Sequence, residues 1–323
     1  MDVLVTGGAG FIGAHVCTEL GRPGRARRVI VLDDLSTGLT SNLAGLDHAE
    51  LVVGSVLDDR LVTDLMSRVD AVVHLAAVPA VARSLEDPRT SYEVNATGTV
   101  IVLEAARRHG CHAIVASSSS VYGPGAVLPA REDQPTRPAS PYAASKLAAE
   151  TWALACGRSF GLPVLALRFF NVFGPLQRAD HAYAAVIPAF VAAALAGRPL
   201  TVHGDGTQTR DFTYVGDVAA VVADAVARRV TSELPVNLAF RSRTSLLALI
   251  SAIEQLLGRP VARVMAPPRA GDVHDSQADP TRLTSLFASV SPTSLDEGLR
   301  ATMDWFVSLD GPDRASVGAG LAG

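Results

Sequence analysis

Through the first half of the chain, short apolar runs rich in valine, isoleucine and leucine alternate with longer stretches whose apolar positions recur at helical spacing. Residues 3–6, 29–32, 51–53, 71–75 and 113–117 predict strands, and Phe11–Leu20 and 97–109 predict helices between them. Strands that alternate with helices make βαβ units, so the expected sheet is parallel. Residues 165–169 and Val236–Leu238 are candidates for two further strands. From about Phe170 the pattern loosens, and Pro175, Pro188, Pro199, Pro235, Pro260, Pro267 and Pro268 punctuate shorter elements. The expectation is an α/β protein in two parts. A doubly wound parallel sheet takes 1–169 plus 212–240, and a smaller, mainly C-terminal lobe takes 170–211 plus 241–308. The small, polar end at 309–323 reads as a frayed tail.

Composition narrows the function. The chain has 323 residues, 48% of them hydrophobic, enough to bury a sizeable core. A net charge of -4 offers no electrostatic case for nucleic acid or an anionic membrane as partner. The longest apolar run, 186–196, falls short of the ~20 residues of a spanning helix. The first strand starts almost at Met1, so no targeting segment is visible and a cytoplasmic protein is expected. Cys17, Cys111 and Cys156 match no zinc spacing. They read as buried reduced thiols, and no metal is expected.

The first strand runs into Gly7-Gly8-Ala9-Gly10-Phe11-Ile12-Gly13, which opens a helix. Glycines at 7, 10 and 13 permit a tight turn and a close backbone approach to a pyrophosphate, with the helix N-terminus facing its charge. This is the fingerprint of a Rossmann-type dinucleotide domain. Asp33, at the end of the second strand, can accept bonds from adenosine ribose hydroxyls and would repel a 2′-phosphate. NAD is therefore the expected cofactor. Arg25, Arg27 and Arg28 precede or begin that strand and read as a solvated face rather than a phosphate site.

Tyr142 and Lys146 stand four apart at the start of an alanine-rich helix opened by Pro141, which puts phenol and ammonium on one face. A nearby ammonium and a positive nicotinamide would favour the phenolate, giving a base usable at neutral pH. The 28 basic residues comprise 27 arginines and one lysine, and that lysine is Lys146. A compact ammonium has been kept where a planar guanidinium cannot replace it. Ser117-Ser118-Ser119-Ser120 follows a strand whose end points into the expected crevice, where a serine hydroxyl can hold a reacting oxygen for Tyr142.

With these residues in place the chain resembles the UDP-galactose 4-epimerase group of the extended short-chain dehydrogenases, to about Trp305. The resemblance includes Asp33-Asp34-Leu35-Ser36-Thr37-Gly38, His74-Leu75-Ala76-Ala77, Asn95, Arg168-Phe169-Phe170-Asn171, Gly204 through Phe212, and Arg269-Ala270-Gly271-Asp272. It implies Ser118, Tyr142 and Lys146 as the catalytic set. For the cofactor it implies Gly7, Gly10, Phe11, Ile12, Gly13, Asp33, Asp34, Ser36, Gly38, Ser55, Val56, Leu75, Ala76, Ala77 and Asn95, together with Tyr142 and Lys146. For a UDP-sugar substrate it implies Ser118, Ser119, Ser120, Asn171, Val186, Arg210, Arg269, Asp272 and Ser276. Ser55 stands where relatives often carry an aspartate, and Pro79 and Ala80 replace residues that can touch cofactor or sugar.

The implied reaction passes a hydride from the sugar C4 to NAD and back, with Tyr142 taking and returning the hydroxyl proton. Dehydratases and decarboxylases that resemble this chain carry carboxylates where Ser119 and Ser120 stand, so 4-epimerisation is favoured. Ser276 aligns with a position where a bulky tyrosine closes the pocket in UDP-glucose-restricted enzymes. Serine there, with Ala182-Tyr183-Ala184-Ala185-Val186-Ile187-Pro188, implies room for N-acetylhexosamines. The alternatives are a UDP-glucuronate 4-epimerase, a 4,6-dehydratase, a 4-ketoreductase or a non-catalytic NAD-binding protein. The family also implies a homodimer, with 97–109 and 143–160 as candidate faces.

Overall fold

The computed structural model describes residues 1–179, 184–267 and 273–309. Seven parallel strands form the central sheet. Six are β1 (Asp2–Thr6), β2 (Arg28–Asp33), β3 (Ala49–Val53), β4 (Ala71–His74), β5 (His112–Ser118) and β6 (Val164–Phe169), and the Val236–Leu238 strand completes it. Their spatial order is Val236–Leu238, β6, β5, β4, β1, β2, β3. The expected 71–75 strand ends one residue early, and the other strands fall within a residue or two of their predicted limits.

The strands alternate their apolar side chains between two covered faces. Val3, Val5, Val29, Val31 and Val73 pack with Val16 and Leu20 of the Phe11–Leu20 helix and with Val218, Val221 and Val222 of the Val215–Arg228 helix. Leu4, Ile30, Leu32, Val72 and Val115 face the other way, against Val62 and Leu65 of Asp59–Met66, Val102 and Leu103 of Gly98–His109, and Ala153 and Cys156 of Pro141–Phe160. The three cysteines are buried free thiols. A separate apolar core gathers Phe173, Ile187, Phe190, Leu200, Leu249, Ile253, Leu299 and Phe306. Among the described residues, no helix is long and apolar enough to cross a membrane.

Two local features set up the site. The Pro141–Phe160 helix starts where Ser140 Oγ accepts from Ala143 N at 3.1 Å with Pro141 in the first turn, and it stops at Gly161 in the left-handed region. The helix expected at 97–109 is preceded by a π-helical turn, Glu93–Thr97, that swings Asn95 inward to 1% exposure.

Candidate active site

Reading the sheet from its edges, strand order reverses around β1, which lies between β4 and β2. The crevice beyond the strand ends at such a point is the natural ligand site, and the predicted residues assemble there. The glycine loop leaves β1, Asp33 ends β2, Leu75, Ala76 and Ala77 leave β4, and Ser118 ends β5.

The loop is closed against its own neighbours. Gly7 sits at φ +72, and a Cβ there would lie 2.7 Å from the Ala76 nitrogen; a Cβ on Gly13 would lie 2.1 Å from the Gly7 oxygen. The Phe11–Leu20 helix has no side-chain cap at its start, so its first amides face the crevice uncovered. Burial pushes the Asp33 carboxyl up, partly opposed by backbone N–H donors. Its Oδ2 accepts from Ala9 N and its Oδ1 from Leu35 N, both at 2.9 Å. Each oxygen keeps a lone pair for a ribose hydroxyl. This cradle, with an acid and no cation at the ribose position, fits NAD. Arg27 and Arg28 pair with Asp2 at the opposite end of the strands, about 16 Å of strand away from Asp33.

Other predicted cofactor residues are placed as follows. Asp34 accepts from Ser36 N at 2.9 Å, and Ser55 Oγ accepts from Leu57 N at 3.2 Å. Val56 is buried against Gly98, and Gly38 packs on the Asp33 carboxylate. Asn95 spends its side chain on the protein: Oδ1 accepts from Val78 N at 2.8 Å, and Nδ2 donates to Ser145 Oγ at 3.0 Å. It thereby ties the loop after β4 to the Tyr142 helix.

At the reacting end, Ser118, at the end of β5, lies near enough to the Tyr142 phenol to favour its phenolate. Ser120 donates to Ser118 Oγ from its hydroxyl at 2.9 Å and its amide at 3.2 Å, which leaves the Ser118 proton for the phenol. Loss of solvent pushes the phenol up, and the Ser118 hydroxyl only partly opposes it. Burial also brings the Lys146 ammonium down to about 8. His74, at the end of β4, is brought to about 3 by burial and then by the Lys146 charge, so it is neutral. Its ring nitrogens meet Thr6 Oγ1 at 2.7 Å and Thr99 Oγ1 at 3.0 Å.

On the far side, Asn171 Nδ2 donates to the Asp211 carbonyl at 3.2 Å. Arg210 Nη1 donates to the carbonyls of Thr209 at 3.0 Å and His274 at 2.9 Å. Ser276 is half-buried and bonds Thr209 O through its amide at 3.1 Å. Val186 opens the Val186–Leu195 helix, half-buried. Arg269, Asp272 and the Ala182-Tyr183 pair lie outside the described residues.

Among the buried polar groups given no role from sequence are His74, Glu150 with its partner Arg168, and Asp211, whose carboxylate accepts from Ser242 and Ala278. Glu150 had a usable signal: a lone acid in an alanine-rich helix, four residues after Lys146.

The NAD dependent epimerase/dehydratase family model matches residues 3–239. A UDP-glucose 4-epimerase of Mycolicibacterium smegmatis is 36% identical over 95% of this chain and 98% of its own. A UDP-N-acetyl-alpha-D-glucosaminuronate decarboxylase of Bacillus cytotoxicus is 33% identical over 95% and 98%. Among solved structures, the UDP-N-acetylglucosamine 4-epimerase of Methanobrevibacter ruminantium M1, in complex with UDP-N-acetylmuramic acid, superposes with a TM-score of 0.89 at 33% identity, over 95% of this chain and 98% of its own. Sheet order, glycine cradle and matched length agree, and the chain belongs to the NAD-dependent epimerase/dehydratase family.

Proposed function

We propose that the protein is a nucleotide-sugar 4-epimerase, a cytoplasmic homodimer that interconverts UDP-glucose and UDP-galactose and also accepts UDP-N-acetylglucosamine. One observation carries this reading. Ser118, at the end of β5, and Tyr142, with Lys146 one turn further along its helix, come together where Ser119 and Ser120 replace the carboxylates of elimination and decarboxylation chemistry.

Residues 1–169 with 212–240 hold the cofactor, and 170–211 with 241–308 hold the nucleotide sugar; the separate apolar core of Phe190 and Leu249 supports that division. When bound, NAD supplies a hydride acceptor for the sugar C4 and a positive charge beside the phenol. Tyr142 Oη takes the proton of the 4-hydroxyl and later returns it. Ser118 Oγ orients that oxygen, and the Lys146 ammonium donates to the ribose and steadies the phenolate. Gly7, Gly10 and Gly13 seat the pyrophosphate, and Asp33 receives the adenosine ribose. Asn171, Val186, Arg210, Arg269 and Asp272 grip the nucleoside diphosphate, while Ser276 leaves space for an N-acetyl group. The second copy docks on the Pro141–Phe160 helix. Leu147, Ala148 and Ala155 line an apolar groove there with Pro138, and Trp152 is 46% exposed.

The test incubates NAD-loaded protein with UDP- and dTDP-hexoses, their N-acetyl forms and the uronates, and resolves C4 epimers by NMR. UDP-galactose from UDP-glucose without net NADH is expected. A 4-keto-6-deoxy product would make it a dehydratase, net cofactor consumption a reductase, and no product from any sugar would overturn the reading. Tyr142→Phe should lose about 100- to 10,000-fold of turnover while NAD stays bound.

A further inference from the structure

Glu150 lies four residues after Lys146 and eight after Tyr142, on the same side of their helix. It is 2% exposed, and three donors meet its carboxylate. Ser117 Oγ donates to Oε2 at 2.6 Å, Arg168 Nε to Oε2 at 2.9 Å, and Arg168 Nη2 to Oε1 at 2.7 Å. Ser117 and Arg168 are register partners near the ends of β5 and β6. One carboxylate thus ties the helix to two strand ends, and Ser117 is the residue before Ser118. The Arg168 guanidinium also lies 4.6 Å from the centre of the Tyr122 ring, whose hydroxyl donates to Asn237 at 2.6 Å, so the pair is braced from behind.

A buried ion pair of this kind adds little stability over well-packed apolar side chains of the same volume. What it fixes is geometry. A carboxylate held by forked donors has few ways to sit, whereas apolar contacts let a helix slide. Proton transfer between Ser118, Tyr142 and a sugar hydroxyl depends on sub-ångström placement.

We propose that Glu150 is a positioning residue: through Ser117 it holds the end of β5 against the Tyr142 helix, so that Ser118 Oγ stays directed at the phenol. The role is drawn from the epimerase reading above. Turning Ser118 away removes the interaction that pulls the phenol down. The nearby charged groups are Lys146 on the same helix, whose charge helps keep His74 of β4 neutral, and the Glu150–Arg168 pair, which cancels its own charge.

The first test is Ser117→Ala, which keeps the ion pair and the fold. Its kcat on UDP-glucose should fall about tenfold, with KM within about twofold of wild type. The acid limb of the kcat–pH profile should move to higher pH. So should the ultraviolet phenolate titration of the NAD-loaded protein, assigned by subtracting Tyr142→Phe. Glu150→Gln should do the same more strongly, about 100-fold in kcat. If that variant does not fold, Ser117→Ala decides. Wild-type kcat and an unmoved phenolate titration in Ser117→Ala would overturn the proposal. A wild type that turns over no sugar would sink the epimerase reading instead, and the phenolate titration would still judge the role of Glu150.

Discussion

Two carboxylates are buried on the two sides of the crevice, and the fold satisfies them in different ways. Glu150, on the catalytic helix, meets a guanidinium through two bonds. Asp211, on the nucleotide-sugar side, is 0% exposed and meets amides and a hydroxyl. Its Oδ1 accepts from Ser242 N and Oγ, both at 3.0 Å, and its Oδ2 from Ala278 N at 2.9 Å. Burial pushes the Asp211 carboxyl up to about 6, and those donors pull back only in part. An ion pair fixes two elements at known spacing, and breaking it strands a charge. A cage of backbone donors lets one aspartate gather three segments, at the cost of a group that titrates near neutrality.

The largest expected effect breaks the ion pair. Arg168→Met strands a buried carboxylate and should destabilise the protein by about 3–5 kcal/mol in urea unfolding. The double variant Glu150→Met with Arg168→Met should recover most of that loss. If it is as unstable as the single variant, the pair is not what holds those strand ends.

A smaller effect separates the aspartate from the ion pair by pH. The folded-state value of Asp211 lies above its ordinary 3.8, so its protonation favours the fold. That stability is complete below about pH 4 and is lost as pH rises through 6. A shift of about two units corresponds to about 3 kcal/mol. Asp211→Asn is neutral throughout, so the difference in unfolding free energy between wild type and variant should drift by up to that amount between pH 4.5 and 7.5, wild type losing ground as pH rises. A pH-independent difference would show that the cage compensates the charge fully.

The smallest effect sharpens the same point. Ser242→Ala removes one hydroxyl donor to Asp211 and keeps the amide, which should cost about 1 kcal/mol, read as a lower melting temperature. No loss of melting temperature would mean that the amides alone support the carboxylate.

These contrasts also mark where sequence reading stops. The strands, the Phe11–Leu20 helix, the glycine turn and the capped helix bearing Tyr142 were legible, because each depends on residues a few positions apart. That Ser118 ends a strand at the crevice was also legible, since strand ends in such a sheet converge there. The phenol's raised titration was not, because it depends on how much solvent the packed fold takes from a half-buried ring and not on which residue stands four positions away. Asn95 read as a cofactor contact; the π-helical turn that also brings its amide to Ser145 was not legible.

Alternation of apolar and polar residues, the spacing of Gly7, Gly10 and Gly13, and the choice of lysine at 146 alone were enough to determine a doubly wound sheet with an NAD cradle and to single out Tyr142 and Lys146. Only the tertiary structure decided that Ser117, Glu150 and Arg168 share one carboxylate, and that Asp211 gathers Ser242 and Ala278. Those partners stand 33, 18, 31 and 67 residues apart. Local preference acts over a turn or two of chain, whereas the partner of a buried charge is set by which surfaces lose their water together, and that is a property of the packed fold.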